Sequence, residues 1–177
     1  MKKYGFVRVC IACAIFSLGA WMVDAIPEIN RALTPFSVGT AKAVEMLLYF
    51  LQMRPVREQS VLLDPTGFGY QIDFACTGII PAGLLMVAIL SSTIPLRAKV
   101  AGLTIGLPLT FAINLVRLVH LFYVGVHYPL SFQWTHSALW QSVMSVFLFG
   151  FYSFWLYLAQ EVPSGQNSSR RHLRNMG

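Results

Sequence analysis

Apolar residues in this chain do not alternate with polar ones so much as run on. Four runs stand out, at residues 6–23, 79–96, 100–126 and 137–160. Each reaches or approaches the ~20 residues that cross a hydrocarbon core of about 30 Å, so each is predicted to be a transmembrane helix. Residues 31–52 follow a different rule. On a helical wheel Arg31, Thr34, Lys42, Glu45 and Gln52 share one face, and Leu33, Phe36, Val44, Leu47 and Leu51 share the other. This is an amphipathic helix, suited to lie in the interface or to pack against the spans. A period of two occurs once, where Phe68, Tyr70, Ile72 and Phe74 alternate with polar or small residues. The run VREQSVLL (56–63) precedes it, and the turn sequence Asp-Pro-Thr-Gly (64–67) lies between them. Together they predict a short β-hairpin within 56–75. The expected architecture is an all-α multi-pass membrane protein with about four transmembrane helices, one amphipathic helix and a short outer hairpin. Residues 1–160 form a single integral-membrane domain, and 161–177 form a disordered basic cytoplasmic tail.

Composition supports the membrane reading. The chain has 177 residues, of which 56% are hydrophobic and 11% charged, and its mean hydropathy is +0.61. A soluble domain carries about 25% charged residues. The net charge of +6 comes from basic residues in short loops and at the termini, the pattern of sorted membrane loops rather than of a nucleic-acid surface. The first apolar run follows Met-Lys-Lys and resembles a signal peptide, but lacks a small-x-small cleavage site, so it is read as a retained anchor. If residues 31–52 do not cross, Lys2, Lys3, Arg97, Lys99, Arg170, Arg171 and Arg174 are all cytoplasmic, and Arg54 and Arg57 are the exceptions. If that helix does cross, Arg97, Lys99 and the tail move outside. The first arrangement is preferred. It places Cys76 and the 127–136 loop on the outer side of the membrane.

Candidate chemistry gathers at that face. Cys76 stands where the hairpin meets the second span, Arg117 lies within the third span with Asn114 one turn before it, and His136 opens the fourth. Three different helices therefore bring these side chains to one leaflet. An ionised side chain inside a span is costly and usually has a task. Arg117 is about 9 residues, or roughly 13 Å, from the outer end of its helix, within reach of that end by snorkelling. A thiolate can attack a peptide carbonyl, a histidine can take or return the proton, and a guanidinium can stabilise the oxyanion. Taken singly, each residue has a plainer explanation: a small apolar cysteine, an arginine on a lipid phosphate, a histidine in an aromatic belt beside Trp134. Cys10 and Cys13 form a Cys-x-x-Cys, but in mid-span, remote from redox partners. His120 and His127 are read as packing or interfacial residues. There is no Gly-x-Ser-x-Gly elbow and no His-Glu-x-x-His, and Asp73 has no membrane aspartate to pair with. No cofactor or metal is called for.

These residues resemble the exosortase/archaeosortase family. Ala-Cys-Thr-Gly-Ile-Ile (75–80) is similar to the family's Ala-Cys-Ser-Gly-aliphatic motif, with Thr77 in place of serine and Gly78 retained. Asn-Leu-Val-Arg (114–117) matches its Asn-x-x-Arg, and His136 matches its third position. The resemblance covers roughly residues 55–155. It implies a membrane-embedded cysteine transpeptidase or protease with Cys76, Arg117 and His136 catalytic and Asn114, Thr77 and Gly78 supporting. Its partners would be proteins with a C-terminal sorting signal, made of a short motif, a transmembrane helix and a basic cluster. The acceptor is left open among water, an amine and a lipid- or polysaccharide-linked group. Many members have about eight spans. The compact form here resembles the exosortase H group, whose substrates carry an Ile-Pro-Thr-Leu-type motif. The alternative is a non-enzymatic membrane assembly or transport subunit.

Overall fold

The computed structural model describes residues 2–24 and 26–161; the basic tail expected over 161–177 lies, from residue 162 on, outside the described residues. Helix α1 (Lys2–Asp24) is followed by α2 (Pro27–Phe50), three short strands β1 (Val56–Glu58), β2 (Val61–Leu63) and β3 (Gly69–Gln71), and a 3-10 turn (Phe74–Cys76). Then come α3 (Ile79–Ser91), α4 (Leu96–His127), α5 (Pro129–Trp134), a π turn (Thr135–Leu139) and α6 (Trp140–Glu161). Among the described residues two helical stretches are long and apolar enough to cross a membrane, Leu96–His127 and Pro129–Gln160. The apolar stretches Val7–Ala20 and Ile79–Ser91 are shorter.

The outer segment has one more strand than a hairpin. The run 56–63, expected as a single strand, folds back on itself at Gln59, whose φ is +54°. β1 and β2 pair antiparallel with Arg57 opposite Leu62, and β2 and β3 pair antiparallel with Leu62 opposite Tyr70. The Asp-Pro-Thr-Gly turn lies where predicted. Asp64 accepts from the Thr66 amide at 2.9 Å, and Gly67 takes φ +97°. The period of two also holds, since Tyr70 and Ile72 are buried while Gly69, Gln71 and Asp73 are exposed.

The sheet is fastened to two helices. Leu62, Tyr70 and Ile72 form one core with Ala41, Val44 and Leu48 of α2 and Leu118, Leu121 and Phe122 of α4. Phe68 sits directly over Gly125, where a Cβ would collide with its ring. Arg57 Nε donates to Glu45 Oε2 at 2.7 Å, tying β1 to α2. The face of α2 that is buried is narrower than the apolar face of the wheel. Ser37, Ala41, Val44 and Leu48 are buried, whereas Phe36, Leu47 and Leu51 point outward. A helix with lipid available need not hide every apolar side chain in protein.

A second core, of Leu85 and Ile89 from α3 and Trp155 from α6, lies towards the opposite end. There Trp155 Nε1 donates to the Ala98 carbonyl at 3.0 Å, and Lys99 Nζ donates to the Leu90 carbonyl at 2.6 Å, closing the α3–α4 corner. Between the cores, large apolar residues of α4 and α6 such as Ile105, Val146, Phe149 and Phe154 are exposed, as suits a lipid-facing surface.

Helix α4 therefore meets two surroundings. From Leu96 to Asn114 it runs beside α3 and α6 for about 27 Å at 1.5 Å per residue. From Leu118 onward it is clad by the sheet and α2. Arg117 stands at the change, and its side chain reaches His136. The sheet and α2 cover one face of the outer turns, while Tyr123 and His127 stay exposed.

Candidate active site

Cys76 closes the 3-10 turn, and its backbone is fixed on both sides. Its amide donates to the Asp73 carbonyl at 2.9 Å, and its carbonyl accepts from Asn114 Nδ2 at 2.8 Å. Asn114 is buried on α4, so this bond sets the height of the thiol against that helix. Thr77 is buried as well, and its hydroxyl donates to the Phe74 carbonyl at 2.6 Å. Gly78 then takes φ +85° and turns the chain into α3.

Glycine at 78 is required twice over. The left-handed backbone disfavours a side chain, and a Cβ would lie 3.0 Å from Asn114 Cγ and Nδ2. Gly78→Ala is expected to lose about 1–3 kcal/mol of stability. Gly39→Ala, where a Cβ meets nothing within 4 Å, serves as the control. Thermal unfolding in detergent measures both. An unchanged transition for Gly78→Ala would mean that the turn relaxes without loss.

His136 Nε2 lies 4.0 Å from Cys76 Sγ and 3.4 Å from a terminal nitrogen of Arg117. One imidazole nitrogen thus faces both partners. A guanidinium only donates, so the lone pair belongs on Nε2 and the ring proton on Nδ1. Such a nitrogen can also take the proton of the thiol. Both separations are longer than a formed hydrogen bond, a common state of unliganded sites that tighten around substrate. The ring is held by Phe132, stacked at 6.0 Å and 11° one turn earlier.

The three expected site residues are thus brought together, with Asn114, Thr77 and Gly78 bracing the cysteine. One expectation changes. His136 does not open a helix: the helical turns of α5 precede it, and it sits in the π turn. The wide turn inserts a residue into the helical register and re-aims the side chains around it, a feature frequent at functional sites. Nothing in the local sequence marks it. His120 accepts from Trp140 Nε1 at 3.0 Å, and His127 stacks on Tyr123 at 4.3 Å.

A cleft of about 610 Å³ opens onto the pair. Its lining includes Arg31 and Ser37 of α2, Gln71 and Asp73 next to the sheet, and Cys76 and His136 themselves. Arg117 is not among the residues lining that cleft, and it joins the site through its contact with His136. Among the described residues no cluster of His, Cys, Asp and Glu could hold a metal ion. Among the described residues, the buried side-chain polar atoms without a hydrogen-bond partner are Tyr70 Oη, Asn114 Oδ1 and Arg117 Nε. All three belong to residues grouped around the thiol. Tyr70 lies on the predicted buried face of its strand, but the alternation that put it there says nothing of chemistry.

No curated protein and no solved structure matches the chain. A sequence profile of the transmembrane exosortase (EpsH) family matches residues 5–158, a stretch that contains the cysteine turn, the Asn-x-x-Arg of α4 and the histidine of the π turn. The chain belongs to the transmembrane exosortase family.

Proposed function

We propose that this protein is a cysteine transpeptidase or protease that cleaves the C-terminal sorting signal of exported proteins at the outer face of the inner membrane. The observation that carries this reading is the shared contact of His136 Nε2 with Cys76 Sγ and Arg117 beside an open cleft. In this mechanism His136 takes the thiol proton and the sulfur attacks the scissile carbonyl. Arg117 N–H groups stabilise the oxyanion, and the same histidine returns the proton to the leaving amine. An acyl-thioester on Cys76 remains, to be resolved by water or an amine.

Orientation follows from charge. Arg97 and Lys99 lie at the α3–α4 corner, at the far end of α3 from Cys76. With those residues cytoplasmic, four crossings put the thiol outside. A substrate with a transmembrane helix would then present its motif just above the hydrocarbon, where the cleft waits. β3 is an edge strand of its sheet, so its free side can receive an extended motif by strand addition.

The test is co-expression with tagged proteins ending in a short motif, an apolar helix and an Arg-rich tail. We expect shortened substrate and, by mass spectrometry of trapped protein, a thioester at Cys76. A membrane-impermeant thiol reagent should reach Cys76 in intact spheroplasts. Cleavage with the adduct on another residue, or labelling of Cys76 only after permeabilisation, would overturn the reading.

A further inference from the structure

Tyr70 is the residue around the thiol that the mechanism above leaves unused. It is 6% exposed, and its hydroxyl has no hydrogen-bond partner. Its ring is well packed, with Phe132 edge-on at 5.6 Å and Leu62 opposite it across the sheet. A phenylalanine would fill that ring site and leave no polar atom stranded. The hydroxyl therefore costs stability in the resting state, and the question is which state it favours.

The surroundings narrow the answer. Tyr70 belongs to the core against which Cys76 packs, and it is not among the residues lining the cleft. After burial itself its hydroxyl interacts most strongly with the Cys76 sulfur, by charge and by a hydrogen-bonding approach that falls short of a formed bond, and it also interacts with Arg117 and Asp73. Burial and the neighbouring sulfur hold the phenol far above the ordinary tyrosine range, so it stays a proton donor at every working pH. Among the described residues, the charged and titratable groups gathered around the sulfur and the Tyr70 hydroxyl are His136 from the π turn, Arg117 from α4 and Asp73 before the 3-10 turn, with Arg31 of α2 lining the same cleft as Cys76. Of these, His136 is assigned the thiol proton and Asp73 is bonded to Gln71 at 2.7 Å. A substrate entering by the cleft meets sulfur and imidazole, with Tyr70 on the other side.

We propose that the Tyr70 hydroxyl is a positioning donor to Cys76 Sγ, stabilising the thiolate from the core side of the site. This rests on the reading of Cys76 as the nucleophile. When the thiol proton passes to His136 Nε2, the sulfur becomes a full acceptor and the stranded hydroxyl gains its partner; the phenol keeps its own proton. When the sulfur acylates, that bond weakens again. The donor thus favours the form of the cysteine that attacks.

The experiment uses the full chain with Cys10→Ala and Cys13→Ala, purified in detergent. The rate of Cys76 alkylation by iodoacetamide is followed against pH by mass spectrometry, together with thermal unfolding. Tyr70→Phe should move the profile up by about one pH unit, and so slow alkylation about tenfold on its acidic side. The protein should be at least as heat-stable as the parent. Leu62→Val disturbs the same core without touching the hydroxyl and should leave the profile in place. A Tyr70→Phe profile that superimposes on the parent, or one that Leu62→Val moves as far, overturns the proposal. Because alkylation needs no substrate, that failure is distinct from substrate processing by Cys76→Ala, which would remove the mechanism itself.

Discussion

Replacing Cys76 with alanine is expected to leave a folded, membrane-inserted protein that processes no substrate. The packing change is slight: the cysteine is only half-buried, its backbone bonds to Asp73 and Asn114 do not involve the sulfur, and alanine adopts the same turn. Loss of about 1 kcal/mol of stability is the scale to expect. Loss of a covalent nucleophile is of another order, about 10⁴-fold or more in rate. Cys10→Ala and Cys13→Ala, on α1, should change neither quantity. The measurement is processing of a tagged substrate, normalised to the amount of each variant in the membrane. Robust processing by Cys76→Ala would end the cysteine mechanism.

Arg117→Lys keeps the charge and should still be severely impaired. One terminal nitrogen of Arg117 reaches His136 at 3.4 Å, and its Nε–H is buried without a partner. The planar fork can thus address the imidazole and offer another N–H elsewhere. Lysine has a single ammonium, which cannot occupy both positions. Removing one oxyanion donor typically costs about 100- to 1,000-fold in rate, and a drop of that size is expected in the same assay. Near-normal processing at normal abundance would take Arg117 out of the site. Cys76 and His136 would then be an unsupported pair, and the non-enzymatic alternative would gain.

The candidate site residues, which the fold brings together, stand out in the sequence because each breaks the rule of its surroundings. Arg117 is a charge in an apolar run, Cys76 marks the junction of two patterns, and His136 borders a span. The alternation of Phe68, Tyr70, Ile72 and Phe74 likewise gave the buried face of β3, since a strand with one side packed leaves that signature. Other features left no such trace. The fold-back at Gln59 depends on one positive φ in a non-glycine residue, and the π turn depends on hydrogen-bond register, for which residue type gives no warning. Which residues of α2's apolar face pack against protein was not legible, because lipid and protein both accept leucine. Hydropathy records how apolar a residue is, not which of the two it touches.

That division of α4 has a geometric consequence. Asn114 holds the carbonyl of Cys76, and the basic α3–α4 corner lies one helix length away, so the distance between reactive sulfur and opposite end is counted out in residues rather than left to lipid. The count from Leu96 to Asn114 corresponds to about 27 Å, close to the hydrocarbon thickness of a membrane. On the proposed function, bilayer thickness thereby becomes a dimension of the site. A thicker membrane must thin locally around the protein or submerge the sulfur, and a thinner one lifts it clear of the lipid boundary. The helix works as a depth gauge, with its zero at the corner and its mark at the thiol.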